Sequence, residues 1–379
     1  MWLARRNLAI ALAMGLALGA PSAALAARSV PHGFFGMNWD QEVAYRSSSI
    51  TRAEQWGRMA AAGVESVRTP FLWTNAQPTS ARSTDFSWTD EVVTLAAQHG
   101  VELLPVVTWA PEWARKYPHQ PLSPPARDGA YTSYLRELVE RYGPKGTFWT
   151  KHPRVPRRPV RSLQIWNEPA EHYQWSVPRG EDWAPAYGKL LRDSYRAIKA
   201  IDPSVRVVMA GLANTSPQYL EHLYDVGGIR GHFDIAAIHP YTADAPDVLA
   251  RTEQFRAVMA AHGDRAKKLW ATEMGLPASE GKLPDTIRLQ TSDAGMARFL
   301  TTSYDELLQN RTKLNIDHVF FYTWASVYKG WIFKWSGLYE YNRVGGRDVF
   351  QEKPALTAYR KLTRSGEGCS KDPVGRCAR

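Results

Sequence analysis

Gln164-Ile165-Trp166-Asn167-Glu168-Pro169 decides the fold. Leu163, Ile165 and Trp166 make a short apolar run that reads as a buried strand. Pro169 stops it, because proline supplies no N–H to a ladder and restricts the residue before it. A carboxamide and a carboxylate are thereby left side by side where a strand gives way to a loop. Further along, Lys268-Leu269-Trp270-Ala271-Thr272-Glu273-Met274-Gly275 repeats the form, with a second glutamate at the end of an apolar run.

Similar runs fall at residues 33–38, 64–68, 101–107, 205–210, 233–238 and 318–322, which with 163–166 and 268–272 predict eight strands. Helical patterns separate them, near residues 51–62, 85–99, 130–142, 181–201, 217–226, 245–262, 292–309 and 353–362. Gly63 and Gly100 stand where C-terminal caps belong. Strands that alternate with helices and are apolar almost throughout predict a parallel sheet covered on both faces. The expectation is an α/β fold, a (β/α)8 TIM barrel forming a single catalytic domain over residues 27–365. In that fold, sites gather at the C-terminal ends of the strands. The residues predicted there are Asn38, Asp40, Arg68, Trp109, Asn167, Glu168, His239, Tyr241, Glu273 and Trp324. The stretch after the eighth strand, residues 325–351, is long and aromatic and reads as an ordered lid or cleft wall.

The ends of the chain carry their own signals. Arg5 and Arg6 precede an apolar run at residues 8–20, and Ala24-Leu25-Ala26 has the small-x-small form of a cleavage site. Residues 1–26 are therefore expected to be a signal peptide and the mature protein to be secreted or extracytoplasmic. The run is short for a membrane span, so none is expected after cleavage. The tail, residues 366–379, holds the only cysteines, Cys369 and Cys377, which make either a small disulfide loop or two free thiols. Two cysteines cannot build a structural zinc site.

Loss of the leader removes two arginines and no acid, taking the formal net charge from +10 to +8. Such an excess suits an anionic partner such as an acidic polysaccharide, or serves solubility alone. Much of it sits in Lys145, Lys151, Arg154, Arg157, Arg158 and Arg161, a segment leading into the Glu168 strand and so placed opposite the expected site. No nucleic-acid-binding motif accompanies it. The 15 tryptophans and 17 tyrosines suit sugar binding, since a flat ring stacks on the C–H face of a pyranose, although most are expected in the core.

Two glutamates at strand ends are what acid/base and nucleophilic work on a glycosidic bond requires. The pattern resembles the clan A glycoside hydrolases, retaining barrels with an acid/base glutamate ending strand four and a nucleophile ending strand seven. Asn167-Glu168-Pro169 and Thr272-Glu273-Met274-Gly275 match those signatures. His239-Pro240-Tyr241, Arg68 and Trp324 match the clan's strand-six, strand-two and strand-eight residues. The Trp-Asn-Glu-Pro form looks most like family 39. Cellulase-like family 5 is the near competitor, and Trp109, where many family 5 enzymes carry a histidine, counts against it.

The resemblance implies an exported, cofactor-free retaining glycosidase, with Glu168 as acid/base and Glu273 as nucleophile held by Arg68 and by Tyr241 or His239. Asn167 would bind the sugar 2-hydroxyl, or be a turn asparagine bonding local backbone. His239 would touch sugar or lie beneath the floor. Trp324 would form a platform under the sugar, or be core. Trp109, Trp113, Trp175, Trp331 and Trp335 are candidates for outer subsites. Glu273 with Arg68 is also readable as a structural ion pair. A catalytically silent carbohydrate-binding barrel is the competing function. A metal-dependent hydrolase is a third, against which the strand ends lack a dense His/Asp cluster. Sugar identity, anomeric configuration, endo or exo action and oligomeric state stay open.

Overall fold

The computed structural model describes residues 30–39, 41–284, 286–327 and 332–367. The expected signal peptide, Asp40, Trp331 and the cysteine tail lie outside the described residues. Eight strands, β1 (Phe35–Asn38), β2 (Ser66–Leu72), β3 (Glu102–Thr108), β4 (Ser162–Ile165), β5 (Arg206–Val208), β6 (Ile235–Ile238), β7 (Lys268–Met274) and β8 (Ile316–Phe321), form a closed barrel in sequence order. Every neighbouring pair is parallel, and β1 closes on β8 with Phe35 opposite Val319 and Met37 opposite Phe321. The (β/α)8 expectation is met. Helices cover the outer face, so β1, β4 and β6 are buried along their whole length, the physical origin of their unbroken apolar sequence.

Local signals set the helix starts. Ser48 accepts from the Thr51 N–H at 3.1 Å, Asp182 from Ala184 at 3.0 Å and Ser292 from Gly295 at 3.1 Å, opening the helices Ser49–Ala61, Trp183–Ile201 and Asp293–Gln309. Among the described residues no helix is long and apolar enough to cross a membrane.

Two features differ from the sequence reading. First, β2 does not end at Arg68 but runs on to Leu72, with Pro70 inside it. The Arg68 carbonyl bonds to Trp39 on the β1 side, so the alternate residue Pro70 faces that side too, where β1 has already ended. Its missing N–H costs no ladder bond there. Arg68 thus lies inside the barrel rather than at a strand tip, and Glu273 likewise lies within β7.

Second, residues 325–351 are not one loop. β9 (Ala325–Ser326), β10 (Tyr339–Val344) and β11 (Arg347–Glu352) form a small sheet, with Gly345 and Gly346 at φ 56° and 78° in the hairpin turn between β10 and β11. Positive φ at both central residues is the requirement of a tight two-residue turn. Tyr341 donates to Asp348 at 2.8 Å, and Asp348 in turn accepts from Thr51 at 2.8 Å, fastening the hairpin to the first barrel helix. Ile332, Phe333 and Lys334, between β9 and β10, do form cleft wall.

Candidate active site

A cavity of about 620 Å³ opens at the C-terminal mouth of the barrel. Arg68 is its hub. From within β2 the guanidinium donates to Gln164 (2.7 Å), Asn38 (2.8 Å), Glu273 (2.6 Å) and Asn167 (2.6 Å). Four acceptors, from β1, β7 and β4 with the turn that follows it, are thereby held by one planar, permanently charged group. Asn38, whose side chain also donates to the Thr272 carbonyl at 3.0 Å, ties β1 to β7 beneath them.

Glu273 presents both oxygens to donors, Oε1 to Arg68 and Oε2 to the Tyr241 hydroxyl at 2.6 Å. Burial alone would raise its carboxyl. The positive charge of Arg68, that of His239 when protonated, and the two hydrogen bonds more than offset it, holding Glu273 below the ordinary glutamate value. Burial, followed by the neighbouring Glu273 charge, lifts the Tyr241 phenol well above its usual range, so it stays a donor.

Glu168 stands in different surroundings. Its Oε1 lies 2.6 Å from His239 Nδ1, and the far ring nitrogen of His239 lies 3.0 Å from Thr272 Oγ1. One oxygen of Glu168, one of Glu273 and a ring nitrogen of His239 fall within 4.8 Å of one another. The backbone that delivers Glu168 is unusual. Trp109, Trp166 and Glu168, all past the ends of β3 and β4, have φ of 60°, 66° and 41°. Left-handed backbone at non-glycine residues costs on the order of 1–3 kcal/mol each and concentrates at functional sites. Bonds from Thr74 N–H to the Trp109 carbonyl (2.9 Å), Trp166 N–H to Val107 (3.0 Å) and Glu168 N–H to Gly211 (3.2 Å) hold the turn.

The structure brings Asn38, Arg68, Trp109, Asn167, Glu168, Tyr241 and Glu273 onto the cavity wall. Asn167 bonds Arg68 rather than local backbone. His239 is fully buried and sits under the floor, behind Glu168. Trp324, 1% exposed, packs on Tyr339 at 4.9 Å and is away from the wall. Trp175 is core against Trp166 at 5.2 Å, and Trp113 and Trp335 are also off the wall. Trp39, Tyr173, Gln174, Asn214, Tyr322 and Phe333 line the cavity without having been singled out by sequence. Tyr173, hydrogen-bonded to Glu168, is kept protonated by partial burial and by the charges of Glu168, Glu171 and Glu273.

Glu168, His239 and Glu273 could each offer an atom to a cation. Those atoms already serve Arg68, Tyr241 and one another, and a fixed guanidinium 2.6 Å from Glu273 disfavours a second cation.

Fold and site together define a (β/α)8 barrel with two facing carboxylates and a buried arginine at its C-terminal mouth. No family model and no curated sequence matches the chain. In structure it is similar to a monomeric β-xylosidase from Caulobacter crescentus CB15, at 18% identity and TM-score 0.64, over 89% of this chain and 69% of that one. It is similar also to a family 39 glycoside hydrolase from Bacteroides cellulosilyticus WH2 (17% identity, TM-score 0.60, 88% of this chain and 64% of that one). A glucosidase from Croceicoccus marinus shares the fold too, at 14% identity and TM-score 0.60 over 89% of this chain and 70% of that one. At these identities the likeness establishes the fold.

Proposed function

We propose that the protein is an exported retaining glycoside hydrolase of the clan A type, most like family 39, cleaving O-glycosidic bonds of an oligosaccharide or polysaccharide. The observation that carries the reading is the pair Glu168 and Glu273, with carboxyl oxygens within 4.8 Å of each other and opposite surroundings. Inverting enzymes set their carboxyl groups roughly 6.5–9.5 Å apart to admit water, whereas retaining ones sit about 5–5.5 Å apart.

Glu273, ionised and aimed by Arg68 and Tyr241, attacks the anomeric carbon. Glu168 gives its proton to the departing oxygen, then takes one from the water that cleaves the glycosyl ester. When Thr272 Oγ1–H donates to His239 Nε2, the imidazole is left with Nδ1–H directed at Glu168 Oε1. The Glu168 proton then resides on the other oxygen. Because Asn167 Oδ1 is taken by Arg68, its amide N–H groups are available for the sugar 2-hydroxyl. The aromatic wall of Trp39, Trp109, Tyr173 and Phe333 suits stacked sugar rings, and the basic net charge favours an anionic chain.

The test is a polysaccharide panel read by mass spectrometry, followed by a Glu273→Gly variant supplied with azide. A glycosyl azide of inverted configuration supports the assignment. Near wild-type turnover in Glu273→Gln overturns it, and sugar bound but intact after long incubation would mark a binding protein.

A further inference from the structure

A second cavity, of about 230 Å³, lies at the opposite, N-terminal mouth of the barrel. Its wall is built from the starts of β2 to β5, from β7 and β8, and from the basic segment that leads into β4. Arg157, Arg158, Arg161 and Arg206 all line it. Nothing in glycosidic bond cleavage at the far mouth uses them.

Their partners are few. Among the described residues, the side chains of Arg158 and Arg161 make no hydrogen bond or ion pair. Asp202 feels the Arg161 charge, but its carboxylate bonds Ser204. Arg206 donates Nε to Ser162 at 3.1 Å and lies over the Trp270 ring at 5.2 Å, and its two terminal nitrogens have no acceptor among the described residues. The one acid in the wall, Glu102, is occupied by His32 at 3.0 Å and His318 at 3.6 Å. The Trp270 ring, 2% exposed, lies beneath Arg206, and the buried His318 ring is tilted against it at a centroid distance of 4.0 Å. Guanidinium groups gathered on one cavity without acids to neutralise them repel one another, and an anion that bridges them relieves that repulsion through charge-assisted hydrogen bonds.

The geometry points to an oxyanion-binding site at the N-terminal mouth, with Arg158, Arg161 and Arg206 as its cations and the Trp270 ring beneath Arg206 as its floor. The ligand is a phosphate, sulfate or carboxylate group, free or carried on an anionic glycan. The site is independent of the glycosidase reading.

Calorimetric titration of the full chain with inorganic phosphate, at constant ionic strength, tests it. Saturable one-to-one binding is expected, weakened about tenfold in Arg161→Gln, whose exposed side chain leaves folding intact, and again in Arg206→Gln. Arg158→Gln removes the third cation and should weaken binding several-fold with little change in circular dichroism. Displacement of phosphate by a polyuronate fragment identifies the group as glycan-borne; failure to displace identifies the free ion. Absence of saturable heat at millimolar phosphate, or binding equal in all three variants, overturns the proposal.

Discussion

Replacing Arg68 by Met keeps the length and apolar stem of the side chain and removes the charge that serves four acceptors. Glu273, 8% exposed, would be left with Tyr241 and His239 alone. Breaking a buried ion pair from one side costs about 3–5 kcal/mol. At roughly 2 °C per kcal/mol for a large domain, that is a fall in Tm of about 6–10 °C near neutral pH. The loss has a definite pH dependence. In the wild type the folded Glu273 sits below its ordinary value of 4.5, so its contribution is complete above that value and lost as pH falls through the folded one. In Arg68→Met, burial is no longer offset by the guanidinium, the folded value rises, and the penalty is relieved on acidification. The Tm gap should therefore be widest near neutrality and shrink toward about pH 4. The acid limb of kcat/KM should move to higher pH in parallel. Arg68→Lys restores a charge but cannot fork to four acceptors, so it should recover the pH profile more fully than the Tm. Scanning calorimetry across pH is the assay. A gap below about 1 °C, or one independent of pH, would refute the view that Arg68 is what keeps Glu273 ionised.

Tyr241→Phe removes one charged hydrogen bond of 2.6 Å and should lower kcat about 10–100-fold with little change in KM, shifting the acid limb upward. Gly211→Ala would set a methyl 1.9 Å from His239 Nε2, displacing the ring behind Glu168; kcat/KM should fall steeply, with a stability loss of about 1–3 kcal/mol by thermal melt. Exhaustive treatment with chelator should leave the rate unchanged, because the atoms that a cation would need are engaged by Arg68, Tyr241 and Thr272; loss of activity restored by added metal would contradict that.

The barrel strands were legible because burial on both faces removes the alternation that hides a strand among helices. Both glutamates were legible because each follows such a run. Arg68 was recognised but taken as a strand end, whereas β2 continues through Pro70 to Leu72 because the missing N–H of the proline faces a side with no ladder. The hairpin of β10 and β11 was also written in the sequence, as buried Tyr339 and Tyr341 flanking Glu340 and then Gly345-Gly346; its aromatic density drew attention to a cleft instead. Trp175 and Trp324 show where sequence stops informing. A tryptophan in a loop reads the same whether it faces solvent, a sugar or another tryptophan, and only the tertiary neighbours, Trp166 and Tyr339 here, decide. Tyr173 was missed for the same reason, having no period or motif to mark it. His239 read equally as floor or wall, and its burial beneath Gly211 makes it floor.

The two carboxyl groups are mounted unequally. Glu273 belongs to β7, with Met274 laddered to β8 beside it and both its oxygens gripped, whereas Glu168 hangs on a left-handed turn whose amide leans on a single carbonyl, that of Gly211. The site therefore works like a vice with one fixed and one sprung jaw. Under the proposed mechanism, changes in the loop that follows Glu168 would re-aim the proton donor for a new leaving group while the attacking side stays put, a route to new substrates that leaves the barrel untouched.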